Sequence, residues 1–171
     1  IDFSDKGTAV ELVQKYPNVV VLQTLSKAFG LAGIRCGFCI GAPDVIRLMN
    51  NVKAPYNVNV LTSEVAVNAM KSTKVLEDNI KNVLAQRKVV TEQLEALDFV
   101  EKVFPSDANF LLFRVKDKAQ EMYKSMADAG IVTRFRGNEM HCTQCIRVTV
   151  GTPDENTKFL ELLQKTWEKI K

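Results

Sequence analysis

Thr24-Leu25-Ser26-Lys27-Ala28-Phe29-Gly30-Leu31-Ala32-Gly33-Ile34-Arg35 is the stretch from which the fold can be read. It follows the apolar run Val19-Val20-Val21-Leu22, which reads as a strand buried on both faces, in a sheet covered by helices. Lys27 therefore stands just past the end of a buried strand. Hydroxyls at Thr24 and Ser26 flank it, and Arg35 follows across a loop punctuated by Gly30 and Gly33. A lysine partly desolvated at such a place holds a neutral amine fraction that can form a Schiff base. Hydroxyls and a guanidinium suit a phosphate, and glycine lets the backbone pass close to a bound group. A strand-end lysine alone is more often a solvated loop residue. The combination, not the lysine, carries the reading.

Working outward, Val10 to Lys15 reads as the end of a helix that Pro17 stops. Cys36 to Gly41 reads as a second strand, and Ala42-Pro43-Asp44 opens a short helix, with proline and an acid suited to a first turn. Ala54 to Asn57 is a loop. Two helices follow, Val60 to Lys71 and Leu76 to about Leu97. In the second, Ile80, Val83, Leu84, Arg87, Val90, Leu94 and Leu97 recur at helical spacing. A helix of about 22 residues spans roughly 33 Å, enough to leave one domain and enter another. After Pro105 the texture changes. Phe110 to Val115 reads as a strand, Ala119 to Ala129 as a helix ended by Gly130, Ile131 to Arg134 as a short strand and Ile146 to Val150 as another. Thr152-Pro153-Asp154-Glu155 opens a final helix. The expected class is α/β: the end of a larger α/β domain over residues 1–85, joined by a long helix to a small α+β domain over residues 86–171.

The composition, with 46% hydrophobic and 25% charged residues, is that of an ordinary globular chain able to bury a core. A net charge of +3 with no basic block argues against nucleic acid as a partner. No apolar run approaches a membrane span. The opening Ile1-Asp2-Phe3-Ser4 has neither a starting methionine nor a signal pattern, so the chain reads as a piece of a longer one, with the cytoplasm as default compartment. Four cysteines form two C-x-x-C pairs, Cys36/Cys39 and Cys142/Cys145. Zinc uses such pairs. The first lies on a strand, where residues three apart point to opposite faces. The second, beside His141, is the better candidate but has no second pair suitably placed. Buried small thiols are the favoured reading, with no metal, and disulfides are not expected in the cytoplasm.

The Thr24–Arg35 string resembles the pyridoxal-phosphate (PLP) lysine signature of class I/II aminotransferases of fold-type I. Lys53-Ala54-Pro55-Tyr56-Asn57-Val58-Asn59, Ala108-Asn109-Phe110 and Ile146-Arg147-Val148-Thr149-Val150-Gly151-Thr152 look like the histidinol-phosphate aminotransferases within that group. The resemblance covers essentially the whole chain. Ile1 to Ser4 look like the residues just after an Asp-Glu-Ala-Tyr signature, whose aspartate meets the pyridinium nitrogen and whose tyrosine meets the cofactor hydroxyl. The chain is thus similar to a C-terminal fragment that lacks both residues.

The resemblance implies PLP as cofactor. It implies Lys27 as the Schiff-base and proton-carrying lysine, and Thr24, Ser26 and Arg35 as binders of the cofactor phosphate. Arg147 would clamp the substrate α-carboxylate, as a planar bidentate donor can. Pattern alone equally allows an arginine on a solvated strand face, since Arg147 and Thr149 share one face and the aliphatics the other. Arg134 resembles an arginine that meets the substrate's phosphate end; Arg136 could equally fill that place, or either could be surface charge. His141 reads as a loop residue, and Tyr56 as a turn or a partner-site contact. The implied reaction moves an amino group between histidinol phosphate and 2-oxoglutarate in histidine biosynthesis, in a homodimer. Rival readings are an aromatic aminotransferase, a phospho-amino-acid decarboxylase, or a non-catalytic structural or dimerisation fragment. The isolated piece is expected to be inactive.

Overall fold

The computed structural model describes residues 2–171; Ile1, the first residue of the opening string, lies outside them. The chain divides into two compact units, Ile1–Ile80 and Lys81–Lys171. Among the described residues no helix is long and apolar enough to cross a membrane.

The first unit holds helix α1 (Glu11–Lys15), strands β1 (Val20–Thr24) and β2 (Gly37–Gly41), helices α2 (Pro43–Val52) and α3 (Val60–Lys71), and the start of α4 (Thr73–Glu95). α1 stops at Tyr16, whose extended backbone is what the following Pro17 demands. β1 and β2 pair antiparallel, from Val20 opposite Gly41 to Thr24 opposite Gly37. Gly37 is required there: a Cβ would lie 2.7 Å from the Gln23 carbonyl oxygen. α2 starts with proline and Asp44 in its first turn, as its sequence suggests. Asn59 caps α3 by accepting from Thr62 N–H at 2.8 Å.

In this chain the run ending in Leu22 forms a strand but is not buried on both faces: Leu22 is 75% exposed, and Phe38 and Ile40 beside it are exposed too. The physical reason is the width of the sheet, which has two strands. A two-stranded ribbon cannot cover the apolar residues of both its faces.

The second unit builds a four-stranded antiparallel sheet, in the order β3 (Val100–Val103), β4 (Phe110–Val115), β6 (Cys145–Thr149), β5 (Arg134–Phe135). Helices α5 (Ala119–Asp128) and α6 (Pro153–Ile170) complete it. Leu111, Phe113 and Val115 of β4 alternate inward and meet Ile146 and Val148 of β6. Against them pack Val90 and Leu94 of α4, Met122 and Met126 of α5, and Phe159 and Leu163 of α6. Phe99 stacks on Trp167 at 4.9 Å, and Phe113 meets Phe159 edge-on at 6.3 Å.

Two elements differ from the reading of the sequence. Residues 131–133 are not strand; β5 begins at Arg134. The cause is the end of α5. Gly130 takes φ +91 and Ile131 N–H bonds back to the Met126 carbonyl at 2.9 Å, so this amide caps the helix instead of pairing with β6. β3 was not anticipated. Its middle is Glu101-Lys102, both exposed, and a register shift between Val100 and Lys102 breaks the alternation a strand normally shows.

α6 starts with a full capping box. Thr152 Oγ1 accepts from Glu155 N–H at 3.3 Å, and Glu155 Oε2 accepts from Thr152 N–H at 2.8 Å. The Thr152 N–H first, and then the Thr152 hydroxyl, which donates to Glu155 Oε2 at 2.9 Å, hold the Glu155 carboxyl below its ordinary value of 4.5. A depressed folded-state pKa means that this stabilisation is complete above pH 4.5 and lost as pH falls through the lowered value. Trp167, the only tryptophan, reports on this unit. Thr152→Ala should cost about 1 kcal/mol in urea unfolding followed by its fluorescence. Glu155→Gln should remove part of the acid sensitivity.

Candidate active site

The loop after β1 is held by its backbone. Leu25 and Ala28 are buried, and Leu25 N–H donates to the Cys36 carbonyl at 3.1 Å. Leu31 N–H donates to the Leu25 carbonyl at 3.0 Å, and Gly30 N–H, at φ +68, to that of Lys27 at 2.9 Å. Thr62 of α3 donates to the Ile34 carbonyl at 3.4 Å. Lys27 thus sits in a closed turn between two buried neighbours.

Within this frame Thr24 and Ser26 come together. Thr24 Oγ1 accepts from Ser26 N–H at 3.1 Å, and the two hydroxyl oxygens lie 2.8 Å apart. Arg35 adopts the left-handed conformation at φ 53, and its Nη1 donates to the Ala32 carbonyl at 3.0 Å. The expected partial desolvation of Lys27 is not found. Its side chain is exposed: the loop turns Leu25 and Ala28 inward, and of the two residues between them Ser26 is half-buried and Lys27 faces out. Its amine makes no hydrogen bond or ion pair among the described residues.

The second unit carries its own group, on the sheet face opposite the core. Arg147 of β6 stands directly opposite Leu112 of β4 and Arg134 of β5, so all three share that face. The Arg147 guanidinium lies over the Phe110 ring at 4.9 Å. Its Nε is buried without a hydrogen-bond partner among the described residues. Arg134 donates to the Thr133 carbonyl at 3.0 Å. Arg136 is different, since it forms an ion pair with Glu139. Two arginines facing each other on adjacent strands repel, and an anion between them would relieve both the repulsion and the orphaned Nε. The Phe110 platform was missed in the sequence; its signal was the alternation of β4, which sends Phe110 and Leu112 to the face away from Leu111 and Phe113.

His141 is an exposed loop residue at φ 62. All four cysteines are free, Cys145 buried and the others half-buried. Among the described residues no three His, Cys, Asp or Glu side chains are grouped to hold a metal ion.

The model of the family described as aminotransferase class I and II matches residues 2–163. The chain belongs to this family, whose members depend on PLP. Among its relatives are two histidinol-phosphate aminotransferases, each 42% identical. That of Flavobacterium johnsoniae aligns over 96% of this chain and 47% of its own length. That of Saccharomyces cerevisiae aligns over 99% and 46%. The chain spans about half the length of the curated relatives it matches. Among solved structures, the histidinol-phosphate aminotransferase of Clostridium acetobutylicum matches with TM-score 0.90 at 24% identity, over 99% of this chain and 52% of that one. The Sinorhizobium meliloti enzyme in complex with pyridoxal-5'-phosphate matches with TM-score 0.82 at 21% identity, over 95% and 44%. An L-threonine-O-3-phosphate decarboxylase from Porphyromonas gingivalis matches with TM-score 0.87 at 24% identity, over 98% and 53%. The α/β fold is therefore that of part of a fold-type I PLP aminotransferase.

If the two arginines repel across β5 and β6, Arg134→Gln should not destabilise the second unit. Urea unfolding followed by Trp167 should show no loss, or a gain of at most about 0.5 kcal/mol. Phe110→Ala should instead lower stability, because it strips the platform from a guanidinium that has no partner at Nε.

Proposed function

We propose that this chain is the lysine-bearing part of a PLP-dependent aminotransferase that exchanges the amino group of histidinol phosphate with 2-oxoglutarate. The observation that carries the reading is the unpartnered Lys27 amine on a backbone-locked loop, in a chain 38–42% identical to enzymes of that name. Residues 1–85 would serve as part of the cofactor domain, and residues 86–171, entered through the long helix, as a small substrate-facing domain. The whole enzyme would be a cytoplasmic homodimer acting on small molecules, with no nucleic-acid or membrane partner.

The residues present fit a phosphate-bearing aldehyde. Lys27 offers a free amine. The Thr24 and Ser26 hydroxyls lie 2.8 Å apart, a pair that can donate to one phosphate, and Arg35 brings the positive charge. When bound, PLP acts as electron sink for the substrate carbon that carries the amino group. Lys27 would hold the cofactor covalently and, once released, carry a proton at Nζ. Lys27→Arg should fail in both roles, because a guanidinium stays protonated. Arg147, stacked on Phe110 with Nε unsatisfied, would hold the α-carboxylate of glutamate and 2-oxoglutarate. Histidinol phosphate has no carboxylate; its phosphate would meet Arg134, which Glu139 does not engage as it does Arg136.

The family includes rivals, and the likeness to a phospho-amino-acid decarboxylase extends to the same fold. The enzyme containing this chain should convert its PLP to pyridoxamine phosphate when given histidinol phosphate alone, seen by absorbance. Release of carbon dioxide from a phospho-amino acid without that conversion would favour the decarboxylase. Arg147→Ala should weaken glutamate binding by about 2–5 kcal/mol and leave PLP content unchanged. Unaltered glutamate affinity would remove Arg147 from its role. The 171-residue chain on its own should be inactive.

A further inference from the structure

Cys142 and Cys145 lie outside the roles assigned above. They are the ends of a four-residue turn in which Cys145 N–H donates to the Cys142 carbonyl at 2.9 Å. A turn closed in this way keeps its end Cα atoms within about 7 Å, and a disulfide spans Cα separations of about 4.4–6.8 Å. Gln144, third in the turn, has φ 57, and His141 just before it has φ 62. Arg114, facing Cys145 across β4 and β6, donates to the His141 carbonyl at 3.0 Å and pins the corner.

The two thiols differ in access. Cys142 is half-buried, whereas Cys145, the first residue of β6, is fully buried. Burial pushes the Cys145 thiol up from its ordinary value, partly offset by Arg114, with the neighbouring Cys142 adding to the rise; Cys145 Sγ itself donates to the Thr143 carbonyl at 3.6 Å. The other C-x-x-C pair is built differently. Cys39 lies within β2, with its sulfur 3.4 Å from Met49 Sδ.

We propose that Cys142 and Cys145 are a reversible dithiol–disulfide couple that exchanges with low-molecular-weight disulfides of the glutathione class. The Cys142 thiolate attacks one sulfur of the small disulfide, forming a mixed disulfide and expelling one small thiolate. The Cys145 thiol, losing its proton, then attacks Cys142 Sγ and expels the second. Two protein thiols are oxidised, one small disulfide is reduced to two thiols, and the two protons leave with them. The loop closed is so short that the bridge removes little chain entropy and gains little stability, which suits a bond that reopens under reducing thiols. Cys145 lies two residues before Arg147, on the same face of β6, so the bridge fastens the strand that bears this arginine.

The test uses the whole chain in glutathione buffers of increasing oxidised fraction, quenched in acid and alkylated. Residues 137–147 form one tryptic peptide with both cysteines. Toward the oxidising end this peptide should lose two hydrogens and escape alkylation, and dithiothreitol should reverse the change. Cys145→Ser should stop at a glutathione adduct on Cys142, and Cys142→Ser should leave Cys145 unreacted. Three wild-type results would each overturn the proposal: full alkylation of both thiols across the range, a glutathione adduct on Cys142 with no internal bridge, or bridges running to Cys36 or Cys39.

Discussion

Alternation along β4 and β6 determines what every other element of the second unit can do. Leu111, Phe113, Val115, Ile146 and Val148 face one way, and α4, α5 and α6 bury them. Full burial of each such side chain is worth about 1.5–3 kcal/mol. A slip of one residue would bring Arg114 and Arg147 into that core, so the register is strongly specified. The same constraint places Arg147 on the opposite face, over Phe110 and across from Arg134. Core packing and the arginine pair are thus two consequences of one period-two pattern.

In the first unit the comparable constraint is backbone hydrogen bonding. Leu25 reaches across to Cys36, Leu31 returns to Leu25, and Gly30 closes on Lys27. With Leu25 and Ala28 turned inward, Ser26 is half-buried and the Lys27 side chain points out. A covalently held cofactor requires such a lysine: its main chain fixed, its amine free to be taken up and released. The Thr24–Ser26 hydroxyl pair is fixed by the same loop, since Ser26 N–H bonds to Thr24 Oγ1. In this chain the loop fixes Lys27 through its main chain and leaves the amine exposed.

Elements governed by local chemistry were legible in the sequence. The span of α3, the Thr-Pro-Asp-Glu opening of α6 and β4 as a strand are all found where the sequence places them. Elements governed by what lies beside them were not. The strand expected from Ile131 begins only at Arg134, because the end of α5 takes the Ile131 amide. β3 was hidden by Glu101-Lys102 and its register shift. Leu22 carries the composition of a buried residue yet is exposed in a two-stranded ribbon, and the desolvation expected of Lys27 rested on that strand being buried. Of the candidate site, the lysine string and Arg147 could be read from motif and alternation. Alternation puts Phe110 on the arginine face, but its stacking under Arg147 and the engagement of Arg136 by Glu139 required pairing in three dimensions.

Everything proposed for the first unit depends on Lys27 being the lysine that would hold the cofactor. The most direct test is borohydride reduction of the PLP-loaded enzyme containing this chain, followed by peptide mapping. Reduction should fix one pyridoxyl group per chain on Lys27, and Lys27→Ala should leave none there. A stoichiometric label on any other lysine, with Lys27 unmodified, would contradict the account.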